Sequence, residues 1–348
     1  MIIINADRMA IFPFVDCLLK TLSKTYEVYI NFRDKKASDL YIEQYGEIQT
    51  KYGYDLTYLI LSSHQAKMFI SFSGDALKTA FDDLKLYNFF NKINVPTVAI
   101  QHGLFQYGIT LEKDPSATLC GNNGQLGLNV KMISDYVLTW NTNNAIGYPI
   151  IKESALETNF TNKQFNLIMT NLHWHIYDKK SRENVYNYLF DLIRKYSKEY
   201  FIWRLHPSEF QYWNYFVSKG FSLKNLKILN IDEHTKYQAS TCIQKAQRTI
   251  STLSTTLVDL DFANKQTLVY GPSNLQYMLN QIDCESFENF YELSDKFNTA
   301  IHDKNFAKLN THISEFDEKN FMRIINEILI NSKYSNSWDL EAALNFIK

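Results

Sequence analysis

The chain opens with Met1-Ile2-Ile3-Ile4-Asn5 (MIIIN), an apolar run with no polar alternation. A strand with one wet face alternates; a strand buried on both faces does not, and such strands belong to parallel sheets covered by helices. The next stretch changes period. Across residues 8–23, Met9, Phe12, Val15, Leu18, Leu19 and Leu22 recur at three- and four-residue spacings, which predicts a helix with one apolar face. Residues 27–32 (EVYINF) return to a strand-like composition. The first 32 residues therefore read as a strand–helix–strand unit, which selects an α/β layer fold.

Working outward, the same alternation continues. Residues 67–72 (KMFISF), 97–100 (TVAI) and 135–140 (DYVLTW) predict strands, with a helix over 75–91. Gly147-Tyr148-Pro149 and the polar, aperiodic stretch 154–163 interrupt it, which sets a domain crossing there. Strands are then predicted at 164–170 (QFNLIMT), 200–205 (YFIWRL), 226–231 (LKILNI), 248–251 (RTIS) and 266–271 (QTLVYG), with helices over 181–196 and 255–264. Two α/β domains are expected, 1–150 and 151–348. The segment from about residue 285 reads as mainly helical, and its last helices are expected to return to the first domain. The length of 348 residues fits two cores better than one.

Composition excludes several classes. A formal net charge of -1 provides no global field for nucleic acid or an anionic membrane. The 23 Tyr and 24 Phe are not interleaved with a basic patch, so they do not read as a base-stacking surface. Cys17, Cys120, Cys242 and Cys284 are far apart, with no CxxC pair and no signal peptide, and read as reduced thiols of a cytoplasmic protein. No run approaches the roughly 18 apolar residues of a membrane span, so membrane association is expected to be peripheral at most. There is no P-loop and no GxGxxG, which argues against ATPase and nicotinamide chemistry.

In open α/β sheets, ligands bind outside the carboxyl ends of the strands, so chemistry is sought there. Gln101-His102-Gly103 follows TVAI, and the glycine permits close backbone approach beside a side chain that titrates near neutrality. Arg204-Leu205-His206-Pro207-Ser208-Glu209 follows YFIW; the proline ends the strand, and Arg204 offers a forked cation for phosphate, although a helix-entry turn capped by Ser208 explains the same residues. Residues 251–256 (STLSTT) carry five hydroxyls in six positions ahead of an apolar helix, more than a cap needs, which suggests a phosphate cradle. His173 and His175, Ser73 and Asp259 are further cleft candidates. The HxH pair lacks a cysteine or carboxylate at ligand spacing, so no metal site and no cofactor are expected.

Taken in order, QHG, DYVLTWN with the GYP turn, RLHPSE, and the Ser/Thr turn leading into TLVYG resemble the GT-B superfamily, and within it the capsule-polysaccharide transferases and CDP-glycerol glycerophosphotransferases. The resemblance is motif-level and spans about residues 97–271. It implies two Rossmann-like domains facing each other across a cleft, with His102 as base and Arg204, His206, Ser254, Thr255 and Thr256 as donor contacts. The expected activity is a metal-independent inverting transfer of a sugar or polyol-phosphate from a nucleotide-activated donor, CMP or CDP type, to a surface-glycan acceptor, glycan or lipid-linked, by a cytoplasmic protein at most peripheral to the inner face of the membrane. A GT-B-shaped sugar-nucleotide epimerase and a non-catalytic scaffold of a polysaccharide assembly complex are the alternatives.

Overall fold

A computed structural model describes residues 1–6, 11–72, 81–101, 103–104, 134–141, 145–150, 161, 163–172, 177–237, 239–332 and 336–347. The chain divides into two compact units, Met1–Lys152 with Ile313–Lys348, and Glu153–His312.

In the first unit the elements run β1 (Ile2–Ala6), α1 (Phe12–Leu22), β2 (Val28–Phe32), α2 (Lys35–Tyr45), β3 (Lys51–Gly53), α3 (Leu56–Ser62), β4 (Met68–Ser71), α4 (Phe81–Lys92), β5 (Thr97–Ile100) and β6 (Tyr136–Leu138). Among the described residues the sheet has six strands in the order β3-β2-β1-β4-β5-β6, and every pairing in it is parallel. The opening run is its inner strand: all five residues of β1 are buried, between β2 and β4. That is why MIIIN shows no alternation. Phe69, Tyr87, Phe89 and Phe90 form an aromatic centre on one face, with the Phe69 and Phe90 rings stacked 4.5 Å apart.

The second unit repeats the layout with β7 (Asn166–Met169), α5 (Lys179–Lys195), β8 (Phe201–Arg204), α6 (Trp213–Gly220), β9 (Leu226–Ile228), α7 (Ile231–Lys236), α8 (Ala239–Lys245), β10 (Arg248–Thr252), α9 (Thr256–Phe262), β11 (Gln266–Tyr270), α10 (Gln276–Leu279), β12 (Glu285–Phe287) and α11 (Phe290–His302). Its parallel sheet, again six strands among the described residues, has the order β12-β11-β10-β7-β8-β9. Trp203, Phe190 and Phe216 pack between this sheet and its helices.

After residue 312 the chain belongs to the first unit again. Tyr148 N–H donates to Ser314 O, Asp317 N–H to Ile146 O, and the Asn320 side chain to Ala145 O. Helices α12 (Glu318–Asn331) and α13 (Leu340–Ile347) follow, touching α1 and α3 respectively. The second unit therefore stops at His312 instead of running to the C-terminus.

Candidate functional site

Strand β7 lies between β10 and β8, so the loops leaving these three strands share one carboxyl edge of the second sheet. The loop after β8 begins at Leu205-His206-Pro207, and the loop after β10 is the Ser/Thr turn. Two of the predicted donor motifs thus stand on the strands that flank β7. Hydrogen bonds stitch the three strand ends together: Asn171 N–H, just past β7, donates 2.9 Å to Thr252 Oγ1 of β10.

The RLHPSE segment forms a short 3-10 turn, Pro207–Tyr212, with His206 itself as the N-terminal cap, where Ser208 was the expected cap. His206 Nδ1 lies 2.8 Å from Ser208 Oγ and accepts from Ser208 N–H at 3.3 Å. The turn is reciprocal, because Glu209 Oε2 accepts from His206 N–H at 2.8 Å, an arrangement that satisfies two otherwise orphaned donors. Glu209 is a residue that motif reading passed over. It has no exposed surface, and its carboxyl also accepts from Thr170 Oγ1 at 2.8 Å, Leu172 N–H at 3.2 Å and Tyr186 OH at 2.7 Å. Burial pushes its pKa up, against the pull of those four donors.

Arg204 closes β8 half-buried, and its Nη1 donates to the carbonyl of His234 at 3.1 Å. Burial lowers its pKa to about 10, so it remains cationic at neutral pH. His234 is held to about 4, by burial first and by Arg204 second, and is therefore neutral beside the cation.

In the Ser/Thr turn, Ser254 is buried, while Thr255 and Thr256 are partly exposed where α9 begins. Thr255 occupies the cap position in helical conformation and makes no side-chain capping bond. The turn is held from elsewhere: Leu253 N–H donates 2.9 Å to the hydroxyl of Tyr177, whose ring is buried and stacked on Tyr270. Burial raises the Tyr177 phenol far above its ordinary value, so it stays protonated. Asp259 sits half-buried in the first turn of α9. Its neighbour Asp261 is consumed by Thr311, accepting from both the backbone N–H and the hydroxyl at 2.7 Å.

Gln101 stands at the carboxyl edge of the first sheet, where β5 ends. It is completely buried, accepting from Trp140 N–H at 2.8 Å and donating to the carbonyls of Gly103 at 3.0 Å and Leu104 at 3.3 Å. Gly103 is buried beside it. His102, Ser73, His173 and His175 lie outside the described residues.

Elsewhere, Cys17 and Cys242 are buried and Cys284 is half-buried, all three as free thiols with pKa values raised by burial. Among the described residues no group of three or more His, Cys, Asp or Glu side chains is arranged to hold a metal ion, and no helix is long and apolar enough to cross a membrane. A depression of about 580 Å³, lined by Gln276, Asn280, Asp283, Cys284, Glu285 and Lys308, lies by the amino ends of β11 and β12 and takes no part in the carboxyl edge.

No family model and no curated protein matches the sequence. Solved structures do match. A UDP co-structure of MnaA from S. aureus is 13% identical with a TM-score of 0.62, over 97% of this chain and 99% of that one. The UDP-GlcNAc 2-epimerase of Methanocaldococcus jannaschii, in complex with UDP-GlcNAc and UDP, is 11% identical with a TM-score of 0.63, over 95% and 99%. That of Neisseria meningitidis, bound to UDP-GlcNAc, is 14% identical with a TM-score of 0.61, over 95% and 100%. The chain has the GT-B fold, built from two Rossmann-like domains.

These matches correct the expected CMP- or CDP-dependent transferase. Two of the structures that align over 95% of this chain, those from Methanocaldococcus jannaschii and Neisseria meningitidis, are UDP-GlcNAc 2-epimerases and not CMP- or CDP-dependent transferases. The physical reason is that QHG, HP and the Ser/Thr turn mark strand ends, where a GT-B fold binds its ligand whatever the chemistry that follows.

Proposed function

We propose that the chain acts on a UDP-activated N-acetylhexosamine and inverts a carbon of its sugar without transferring it to an acceptor. The observation that carries this reading is the convergence of Arg204, His206 and the 254–256 turn on one sheet edge, in a fold shared at nearly full length with UDP-GlcNAc 2-epimerases. A diphosphate carries charge that needs fixed positive potential. Arg204 supplies a cation, His206 a ring nitrogen, and Ser254, Thr255 and Thr256 supply hydroxyls and backbone donors, with no metal required.

At C2, which has no carbonyl beside it, loss of the proton to a base is balanced by departure of UDP from C1 with formation of a C1–C2 double bond. UDP then re-adds at C1 as a proton is delivered to the opposite face of C2, so two acid–base groups are needed. His102 is proposed as one. Partners are to be sought among the acidic residues that follow β4 and β5 in the chain, Asp75, Glu112 and Asp114. A tolerated His102→Ala would remove it from this role.

The test is incubation of the protein with UDP-GlcNAc in deuterated water with no acceptor. Appearance of the C2 epimer with solvent deuterium at C2 is expected, and UDP is expected to raise the melting temperature more than CDP or CMP. An undeuterated, unchanged sugar together with no UDP-induced stabilisation would overturn the reading.

A further inference from the structure

Glu209 accepts four hydrogen bonds, and their arrangement is selective. Oε1 faces Leu172 N–H and Tyr186 OH; Oε2 faces Thr170 Oγ1 and His206 N–H. Each oxygen therefore meets one backbone N–H, a donor that cannot reverse its role. An amide in place of the carboxyl would set its –NH2 against a backbone N–H whichever way it turned. The site demands a carboxyl group, and a fully buried carboxyl is costly to keep unless its partners repay the desolvation.

Those partners lie on three elements. Thr170 and Leu172 follow β7, Tyr186 projects from α5, and His206 opens the turn after β8. Thr170 is itself fixed, accepting from Trp203 Nε1 at 3.1 Å. The one position among them in the proposed diphosphate site is His206. Its backbone is locked by Glu209 on one side and by Pro207 on the other, and its Nδ1 is engaged with Ser208. The orientation of the ring is thereby set through its backbone and through Nδ1 together.

We propose that Glu209 is the positioning residue of the donor site, which holds the His206 imidazole in place for the diphosphate. The proposal rests on the function proposed above. Glu209 touches no ligand; it acts through the His206 backbone.

The experiment compares UDP affinity and melting temperature for the whole chain and for His206→Ala, Glu209→Gln and Tyr186→Phe. Tyr186→Phe removes one hydrogen bond from the same carboxyl but leaves both backbone contacts in place. If Glu209 positions His206, Glu209→Gln weakens UDP binding by about tenfold or more, the equivalent of about 1.4 kcal/mol, approaching the loss in His206→Ala. Tyr186→Phe lowers the melting temperature yet binds UDP within about twofold of the parent. Should Glu209→Gln fail to fold, Glu209→Asp, which draws the carboxyl back from His206 N–H by one methylene, is expected to show the same loss of affinity. Parent-like UDP affinity in Glu209→Gln, or a loss in Tyr186→Phe proportional to its drop in melting temperature, overturns the proposal while leaving the donor site standing. Failure of the parent protein to bind UDP, or full UDP affinity in His206→Ala, instead overturns the donor-site reading and this proposal with it.

Discussion

At the residue scale, the clearest electrostatic device is the pair of Arg204 and His234. The guanidinium is held by the carbonyl of His234, and the imidazole of the same residue is kept neutral by burial and by that cation, with its pKa at about 4. Phe210 packs edge-on against the ring, 5.5 Å between centroids. An unfolded histidine titrates near 6.5, so between the two values the unfolded chain binds a proton that the folded one refuses. The contribution of this neutral ring is complete above about pH 6.5 and is lost as the pH falls toward 4. Its size is on the order of 3 kcal/mol at most, less whatever the partly exposed ring recovers from water. Replacing His234 by Gln removes the titration. Urea midpoints at pH 7.5 and pH 4.5 are expected to differ less in His234→Gln than in the parent, and equal differences would show that the ring is not held neutral.

At the scale of elements, the neighbourhood of Gly147 shows what a single backbone conformation holds together. Gly147 has φ +72°, and a Cβ there would lie 2.0 Å from the carbonyl oxygen of Glu315, in the segment that follows the second unit. Gly46 has a similar φ of +86° with nothing within 4 Å. With ψ -174°, Gly46 lies in a region essentially reserved for glycine. Gly46→Ala therefore carries a conformational cost of about 1–3 kcal/mol with no clash, and Gly147→Ala must add displacement of the 314–317 strand-like pairing. Equilibrium unfolding should show the second substitution costing clearly more; equal costs would mean that Glu315 yields freely.

The strands legible in the sequence were β1, β2, β4, β5, β6, β7, β8, β9, β10 and β11, which all coincide with predicted strands; most are buried almost throughout, and β6 and β9 are only partly buried. Those that were missed have little apolar signal to offer. Strand β3 is a partly exposed three-residue edge, β12 is three residues long, and α2 buries only Ser38 and Tyr41. The site follows the same logic. His206 and the 251–256 turn stood out because they interrupt apolar strands, whereas Glu209, which looks like an ordinary first-turn acid, is distinguished only by partners 23 to 39 residues away.

At the scale of the whole molecule, each sheet has to be covered on both faces, and the first unit completes its cover with residues distant in sequence. Trp338 Nε1 donates 3.0 Å to Ile60 O, and the Asn336 amide donates to the carbonyls of Ser63, His64 and Ala66, capping the end of α3. Phe346 lies 4.8 Å from Phe89, ring to ring, and with Trp338 and Ile347 it packs on the cluster that contains Phe69, Tyr87 and Phe90. Deleting residues 336–348 strips this cover, exposing aromatic surface and removing the hydrogen bonds to the carbonyls of Ile60, Ser63, His64 and Ala66. A loss of roughly 3–6 kcal/mol is expected for the first unit, since large apolar side chains cost this much when their packing is removed. Amide hydrogen exchange gives the measurement a location: protection should fall at Leu59, Ile60, Phe89 and Phe90 while β10 and β11 keep theirs. Equal loss at β10 and β11 would show that the C-terminal helix supports the chain as a whole, and unchanged protection at Phe89 and Phe90 would show that it supports neither sheet.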